Sequence, residues 1–153
     1  MLNKKEIMRL VIQKVKYASL KVDGELISET NKGYIVFAGV CVGDTMDQVK
    51  RAAARIATMR VFRTEDGKMN KSILDIGGEV LLVSNFTLCT KEGSGARPDF
   101  SLSANKDIAK QLYLSLADEL DSFGVPVKLG VFGADMQITT QLDGPTTIYK
   151  EIK

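Results

Sequence analysis

The stretch "GYIVFAGVCV", Gly33–Val42, constrains the fold more than any other part of the chain. An unbroken apolar run of strand length, rich in β-branched residues and opened by glycine, reads as a buried central strand rather than a helix. It is far too short to span a bilayer, so it needs protein packed against both of its faces. Before it, "RLVIQKV" (9–15) and "LKVDGELI" (20–27) are apolar segments, the second split by the hairpin signal Asp23-Gly24. Residues 8–28 therefore read as two or three strands. After it, Thr45 with Gln48 fits a capping box, and Val49, Ala52, Ala53, Ile56 and Met59 recur at helical spacing, predicting a helix to about Phe62.

Further along, "RTEDGKMNKS" (63–72) reads as a polar loop and "EVLLVSNFTL" (79–88) as another strand. "KEGSGARP" (91–98) is a flexible basic loop. Ile108, Leu112, Leu116, Leu120 and Phe123 mark a second amphipathic helix, closed by Gly124 and Pro126. The remainder looks like strands joined by turns. At 153 residues, with 44% apolar and 26% charged side chains, one soluble domain with a sizeable core is expected. The pattern predicts an α/β single domain with mixed, largely antiparallel β-sheets and two main helices packed on one side.

The chain contains no histidine. That removes the commonest general base and metal ligand, and every relay from His to Ser or Cys. Cys41 and Cys89 stand far apart in sequence and offer no zinc-type spacing, so no metal and no cofactor are expected. Any catalysis must rest on backbone dipoles, a hydroxyl, a Lys or carboxylate, or a group of the substrate itself. A net charge of +2 permits a nucleic-acid partner without demanding one. The start of the sequence lacks the apolar core of a signal peptide, and a cytoplasmic protein with reduced thiols and no membrane partner is expected. Taken alone, "LDGPT" (142–146) is an ordinary turn, "SNFTL" (84–88) a strand end with Phe86 in the core, and Asp44, Asp66 and Asp75 turn or cap residues.

Several segments together carry a resemblance. "MRLVIQKV" (8–15), "GKMNKSILDIGGEVLLVSNFTL" (67–88), "ARPDFS" (96–101), "FGADMQI" (132–138) and "DGPTTIY" (143–149) resemble, in one register, the D-aminoacyl-tRNA deacylases, formerly D-tyrosyl-tRNA deacylases. The likeness implies a deacylase domain over 8–153, a short extension over 1–7, and hydrolysis of the ester of D-aminoacyl-tRNA and of glycyl-tRNA. It implies a homodimer in which a cis Gly144-Pro145 from one subunit enters the other's active site as a chiral gate. The catalytic segment would be Ser84, Asn85, Phe86 and Thr87. Backbone N–H groups near Asn85 and Phe86 would stabilise an oxyanion, Phe86 would face the terminal adenine, and the 2′-hydroxyl of the tRNA would assist. Thr87 reads as a positioning or acceptor group rather than a nucleophile, since no recognisable base accompanies it.

The chain departs from the family pattern around the gate. Where the family has an Arg bracing the Gly-Pro carbonyls stands Lys14, a point charge without a planar fork. Asn85 replaces Gln, Leu142 replaces Asn and Thr146 replaces Val, so Lys14, Leu142 and Thr146 are the expected gate support. Lys91, Arg97 and Lys68, with Lys71, are candidate contacts to acceptor-stem phosphates. Two alternatives follow: a relaxed deacylase removing L-alanine from mischarged tRNA, as in a related animal enzyme, and a nucleic-acid-binding dimer without catalysis.

Overall fold

The computed structural model describes residues 7–93 and 95–153, so the expected extension at 1–7 lies outside the described residues except for Ile7. In chain order the elements are β1 (Met8–Val22), β2 (Glu25–Thr30), β3 (Gly33–Gly39), α1 (Met46–Thr58), β4 (Phe62–Arg63), β5 (Met69–Lys71) and β6 (Glu79–Ser84). A 3₁₀ turn (Phe86–Leu88), α2 (Lys106–Ser122), β7 (Val127–Leu129) and β8 (Gln137–Ile152) complete the chain.

The main sheet runs β2-β1-β3-β6-β7, with β8 also paired to β1. Pairings of β1 with β2, β3 and β8 are antiparallel, whereas β3-β6 and β6-β7 are parallel. This is the mixed, largely antiparallel arrangement expected. Residues 8–22 form one long strand, which turns into β2 through Asp23-Gly24, with Asp23 in the left-handed region at φ 51°. The run from Gly33 supplies β3, hydrogen-bonded between β1 and β6 at the centre of the sheet.

Alternation along these strands sorts two cores. Met8, Leu10, Ile12, Tyr34, Val36, Ala38, Val80 and Leu82 pack with Ala52, Ala53 and Ile56 of α1 and Leu112, Tyr113, Leu116 and Leu120 of α2. Val15, Ala18, Leu20, Ile35, Leu81 and Val83 form a second cluster with Met136 and Ile138 and without either helix. Both helices thus cover one face of the sheet. The buried Tyr113 hydroxyl donates to the Leu82 carbonyl at 2.7 Å, and burial pushes its pKa up to about 12.

Four boundaries differ from the sequence reading, the first being that β3 ends at Gly39 rather than at Val42. Helix α1 begins at the expected capping box, but it ends at Thr58 rather than near Phe62, because Met59 is extended (ψ 138°). Phe62 instead lies 5.1 Å from the Tyr34 ring in the core. Burial of an aromatic ring outweighs the helical pattern there. Part of the expected loop at 63–72 folds as the small β4-β5 hairpin. Finally, β6 stops at Ser84 instead of continuing to Leu88: the Asn85 amide makes a last bond to the Ala38 carbonyl, 2.8 Å, and the chain turns away.

Candidate active site

The segment from Ser84 to Thr90 is built where β6 leaves the sheet beside the end of β3. Ser84 pairs with Ala38, and the 3₁₀ turn then lies directly against Gly39. Only a residue without a side chain fits beneath it. A Cβ on Gly39 would fall 2.9 Å from Leu88 Cβ, 3.0 Å from the Asn85 carbonyl oxygen and 3.2 Å from Cys89 Sγ. Arg9, paired with Gly39 on the neighbouring β1, reaches the same segment: its Nη1 donates to the carbonyls of Leu88 and Thr90 at 2.9 Å each. The turn is also closed by Leu88 N–H to Asn85 O (3.3 Å) and Cys89 N–H to Phe86 O (2.9 Å).

Its polar groups divide into spent and spare. The Thr87 hydroxyl donates to the Asn85 side-chain oxygen, and the Thr90 hydroxyl donates to the Thr87 carbonyl. Thr87 therefore has lone pairs to offer a ligand, not an activated proton to lose. Of the two amides expected to hold an oxyanion, that of Asn85 is committed to the β3 ladder. The N–H groups of Phe86 and Thr87 open the turn, no side chain caps it, and the first donors of a helical turn have no acceptor within it. Those two amides are the donors this geometry leaves.

Phe86 is not in the core, as the residues alone suggested, but 55% exposed. Its ring meets Phe100 edge-on, with centroids 5.2 Å apart and planes at 78°, so one ring face is left toward solvent. Behind the turn, Cys41 and Cys89 are buried thiols not joined in a disulfide. The side-chain hydrogen bond with Cys89, together with burial, favours the protonated form and pushes the Cys41 thiol well above its ordinary value, which makes it a poor nucleophile.

The Gly144-Pro145 peptide bond is cis and lies in an irregularity of β8. Register passes from Gln13↔Thr147 to Val15↔Leu142, so residues 143–146 bulge outward opposite Lys14 alone. Gly144, Pro145 and Leu142 are exposed and Thr146 is half-buried. Gly144 has φ +130°, and a Cβ there would lie 2.8 Å from the Thr146 nitrogen and 2.9 Å from its hydroxyl oxygen. The Lys14 ammonium points to the helix-covered face, where it donates to the Val61 carbonyl at 3.3 Å and sits 5.7 Å from the centre of the Phe62 ring. Within one chain it makes no hydrogen bond to the Gly144 or Pro145 carbonyl.

The two motifs are not brought together in a single chain. Arg9 touches the turn and Lys14 faces the bulge, and the five residue steps between them span roughly 17 Å of strand. The basic candidates are also divided. Lys91 directly follows the turn segment and bridges to Asp99, closing a loop that carries the exposed Arg97. Lys68 sits on the separate β4-β5 hairpin, where the Asp66 carboxylate accepts its backbone N–H at 3.2 Å, and Lys71 ends β5. Sequence reasoning missed Arg9, Gly39 and Phe100. Phe100 lay in "ARPDFS" and Arg9 in "MRLVIQKV", segments that carried the resemblance without marking either residue; Gly39 looked like an ordinary strand residue. Asp44, Asp66 and Asp75 each accept a nearby backbone N–H, as turn and cap residues do. Among the described residues no cluster of His, Cys, Asp and Glu could hold a metal ion, and no helix is long and apolar enough to cross a membrane.

A family model described as D-Tyr-tRNA(Tyr) deacylase matches residues 11–151. The chain is 45% identical over 145 residues to a D-aminoacyl-tRNA deacylase of Ruegeria pomeroyi, covering 95% of this chain and all of that one. It is 42% identical over 146 residues to a D-aminoacyl-tRNA deacylase of Fusobacterium nucleatum, covering 95% and 97%. Among solved structures, one titled c-Myc DNA Unwinding Element Binding Protein superimposes with a TM-score of 0.86 at 37% identity over 93% of this chain and 97% of that one. A probable eukaryotic D-amino acid tRNA deacylase gives 0.81 at 17% identity over 95% and 100%, a likeness of fold.

Proposed function

Because the chain belongs to the D-Tyr-tRNA(Tyr) deacylase family, and is thereby a hydrolase of aminoacyl-tRNA esters, we propose that it clears D-amino acids and glycine from tRNA at the Phe86–Leu88 turn. Selection against L-residues falls to Gly144 and Pro145 of a second copy. The observation that carries this reading is the turn itself, an exposed platform with two amides lacking acceptors and an aromatic face beside them.

The chemistry follows from those groups. Phe86 stacks on the terminal adenine, a contact worth about 1–3 kcal/mol. The ester carbonyl oxygen then lies toward the Phe86 and Thr87 N–H groups. Water attacks the carbonyl carbon, negative charge builds on that oxygen, and the two amides stabilise it. The ester C–O bond breaks, the ribose oxygen takes up a proton, and free amino acid and tRNA leave. With no histidine in the chain, the neighbouring 2′-hydroxyl of the ribose is the assisting group. Thr87 and Asn85 hold the geometry through their shared hydrogen bond.

Two copies are required because the gate and the turn of one chain stand roughly 17 Å apart along β1. The exposed bulge of one copy reaches the turn of the other, and two-fold symmetry makes both sites alike. Leu142 and Thr146 support the bulge from within its own chain, and Lys14 does so only by its place opposite it on β1, its ammonium being held at the Val61 carbonyl, while Lys91 and Arg97 meet phosphates next to the turn; Lys68 and Lys71, on their separate hairpin, make weaker contacts. Residues 8–153 form the deacylase domain, working in the cytoplasm where aminoacyl-tRNA is found.

Subunit mixing tests the composite site. Gly144→Ala impairs the gate and Gly39→Ala the turn, so a heterodimer of the two holds one intact site. Random pairing should recover about a quarter of wild-type activity. No recovery from a mixture shown to exchange subunits would mean that each site is made within one chain. A second reading, nucleic-acid binding without catalysis, draws on the neighbour titled as a DNA-unwinding-element binder; tRNA binding without hydrolysis of any ester would favour it.

A further inference from the structure

Arg9 stands outside every group assigned to the chemistry, yet it is the side chain that ties the turn to the sheet. It lies on β1 opposite Gly39 of β3 and Glu151 of β8. The Glu151 carboxylate accepts the Tyr149 hydroxyl at 3.1 Å, and the Arg9 guanidinium donates to Leu88 O and Thr90 O, both at 2.9 Å. These carbonyls flank Cys89, the residue that ends the 3₁₀ turn. The last carbonyls of a helical turn lack partners within it, and a cation at that end satisfies them. The buried Nε of Arg9 has no partner of its own, so the placement of the guanidinium is dictated by the two carbonyls.

We infer that Arg9 is a positioning residue for deacylation, its guanidinium fixing the distance from the Phe86 and Thr87 amides to the ester by clamping the far end of their turn. This rests on the turn being the catalytic segment. Gly39 limits how closely the turn approaches the sheet, and Arg9 prevents it from lifting away. With the clamp gone, the turn keeps its own bonds, from Leu88 N–H to Asn85 O and Cys89 N–H to Phe86 O, but is held to the sheet at one end only. The substrate still binds through Phe86 and the basic loop. What is lost is alignment in the transition state, which appears in kcat and not in KM.

The test uses the full chain as wild type, Arg9→Met and Arg9→Lys. Arg9→Met keeps the aliphatic stem and removes all donors, while Arg9→Lys keeps a charge and a donor. The expected result is a kcat on D-aminoacyl-tRNA lowered roughly ten- to a hundredfold in Arg9→Met with KM unchanged, and largely restored in Arg9→Lys. Amide hydrogen exchange at Leu88 and Cys89 should quicken in Arg9→Met while exchange in β3 stays slow. Wild-type kcat and wild-type exchange in a folded Arg9→Met protein would overturn the inference, as would a loss confined to KM, which would make Arg9 a tRNA contact. Should Arg9→Met fail to fold, Arg9→Lys carries the same test, with a severalfold loss of kcat and faster exchange expected. If the wild type cleaves no aminoacyl-tRNA, the functional reading fails, and an unchanged exchange rate then separately rejects the clamp.

Discussion

Gly39→Ala adds one methyl group beneath the turn and alters no group that touches substrate. Its Cβ would stand 2.9 Å from Leu88 Cβ, 3.0 Å from Asn85 O and 3.2 Å from Cys89 Sγ, whereas ordinary contact begins near 3.4 Å. All three neighbours belong to the Asn85–Cys89 segment, so that segment must yield by about half an ångström at most. Overpacking on this scale costs about 1–3 kcal/mol of stability, which a domain of this length withstands. The shift moves the Phe86 and Thr87 amides away from the sheet. A full 1 Å misplacement can cost about a hundredfold in rate, so half that distance should cost about tenfold. The assay is single-turnover deacylation of a D-aminoacyl-tRNA at saturating enzyme, with urea unfolding in parallel to confirm a folded population. A drop in rate of about tenfold or more with retained tRNA binding is expected. A folded Gly39→Ala enzyme cleaving at the wild-type rate would refute the placement of the catalytic amides on this turn.

Three further substitutions and one chemical treatment have expected outcomes. Gly144→Ala places a Cβ 2.8 Å from the Thr146 nitrogen at φ +130°, so it should distort the bulge and lower both rate and D-over-L selectivity. Thr87→Ala removes an acceptor and its bond to Asn85 and should cost less, about tenfold, in the same assay; complete loss of turnover with normal folding and tRNA binding would make Thr87 a reacting group. Thr45→Ala removes the capping box of α1 and should lower stability by about 1 kcal/mol, read from the urea midpoint, with kcat unchanged. The Cys41 thiol is buried and held above its ordinary pKa by Cys89 and by burial, so the thiolate fraction at pH 8 is small. Iodoacetamide should therefore label the native protein far more slowly than the urea-unfolded chain, as followed by mass spectrometry.

Much of the fold was legible because its signals are local. The capping box at Thr45 and Gln48, the Asp23-Gly24 hairpin and the apolar run of β3 are decided by neighbours in sequence, and each formed, although β3 stops at Gly39 short of the expected Val42. The end of α1 was not legible, since Phe62 leaves the helical pattern to pack against Tyr34, a partner distant in the chain. The end of β6 was hidden for the same reason: it depends on Gly39 and Arg9, which bring the turn against the sheet. At the site, the resemblance pointed to Asn85, Phe86, Thr87, Gly144 and Pro145. Exposure of Phe86 and the commitment of the Asn85 amide to Ala38 needed the structure. Separation of the two motifs within one chain follows from the β1–β8 register, which no single segment encodes.

The most direct test is ester hydrolysis by the purified protein on three substrates in parallel, a D-aminoacyl-tRNA, glycyl-tRNA and the L-aminoacyl-tRNA matching the first. Rapid loss of the D-ester and the glycyl ester with the L-ester intact is the expected result, with Lys14, Asn85, Leu142 and Thr146 serving in place of the usual residues. Cleavage of the L-ester at a comparable rate, or of none of the three, would contradict chiral selection by this site.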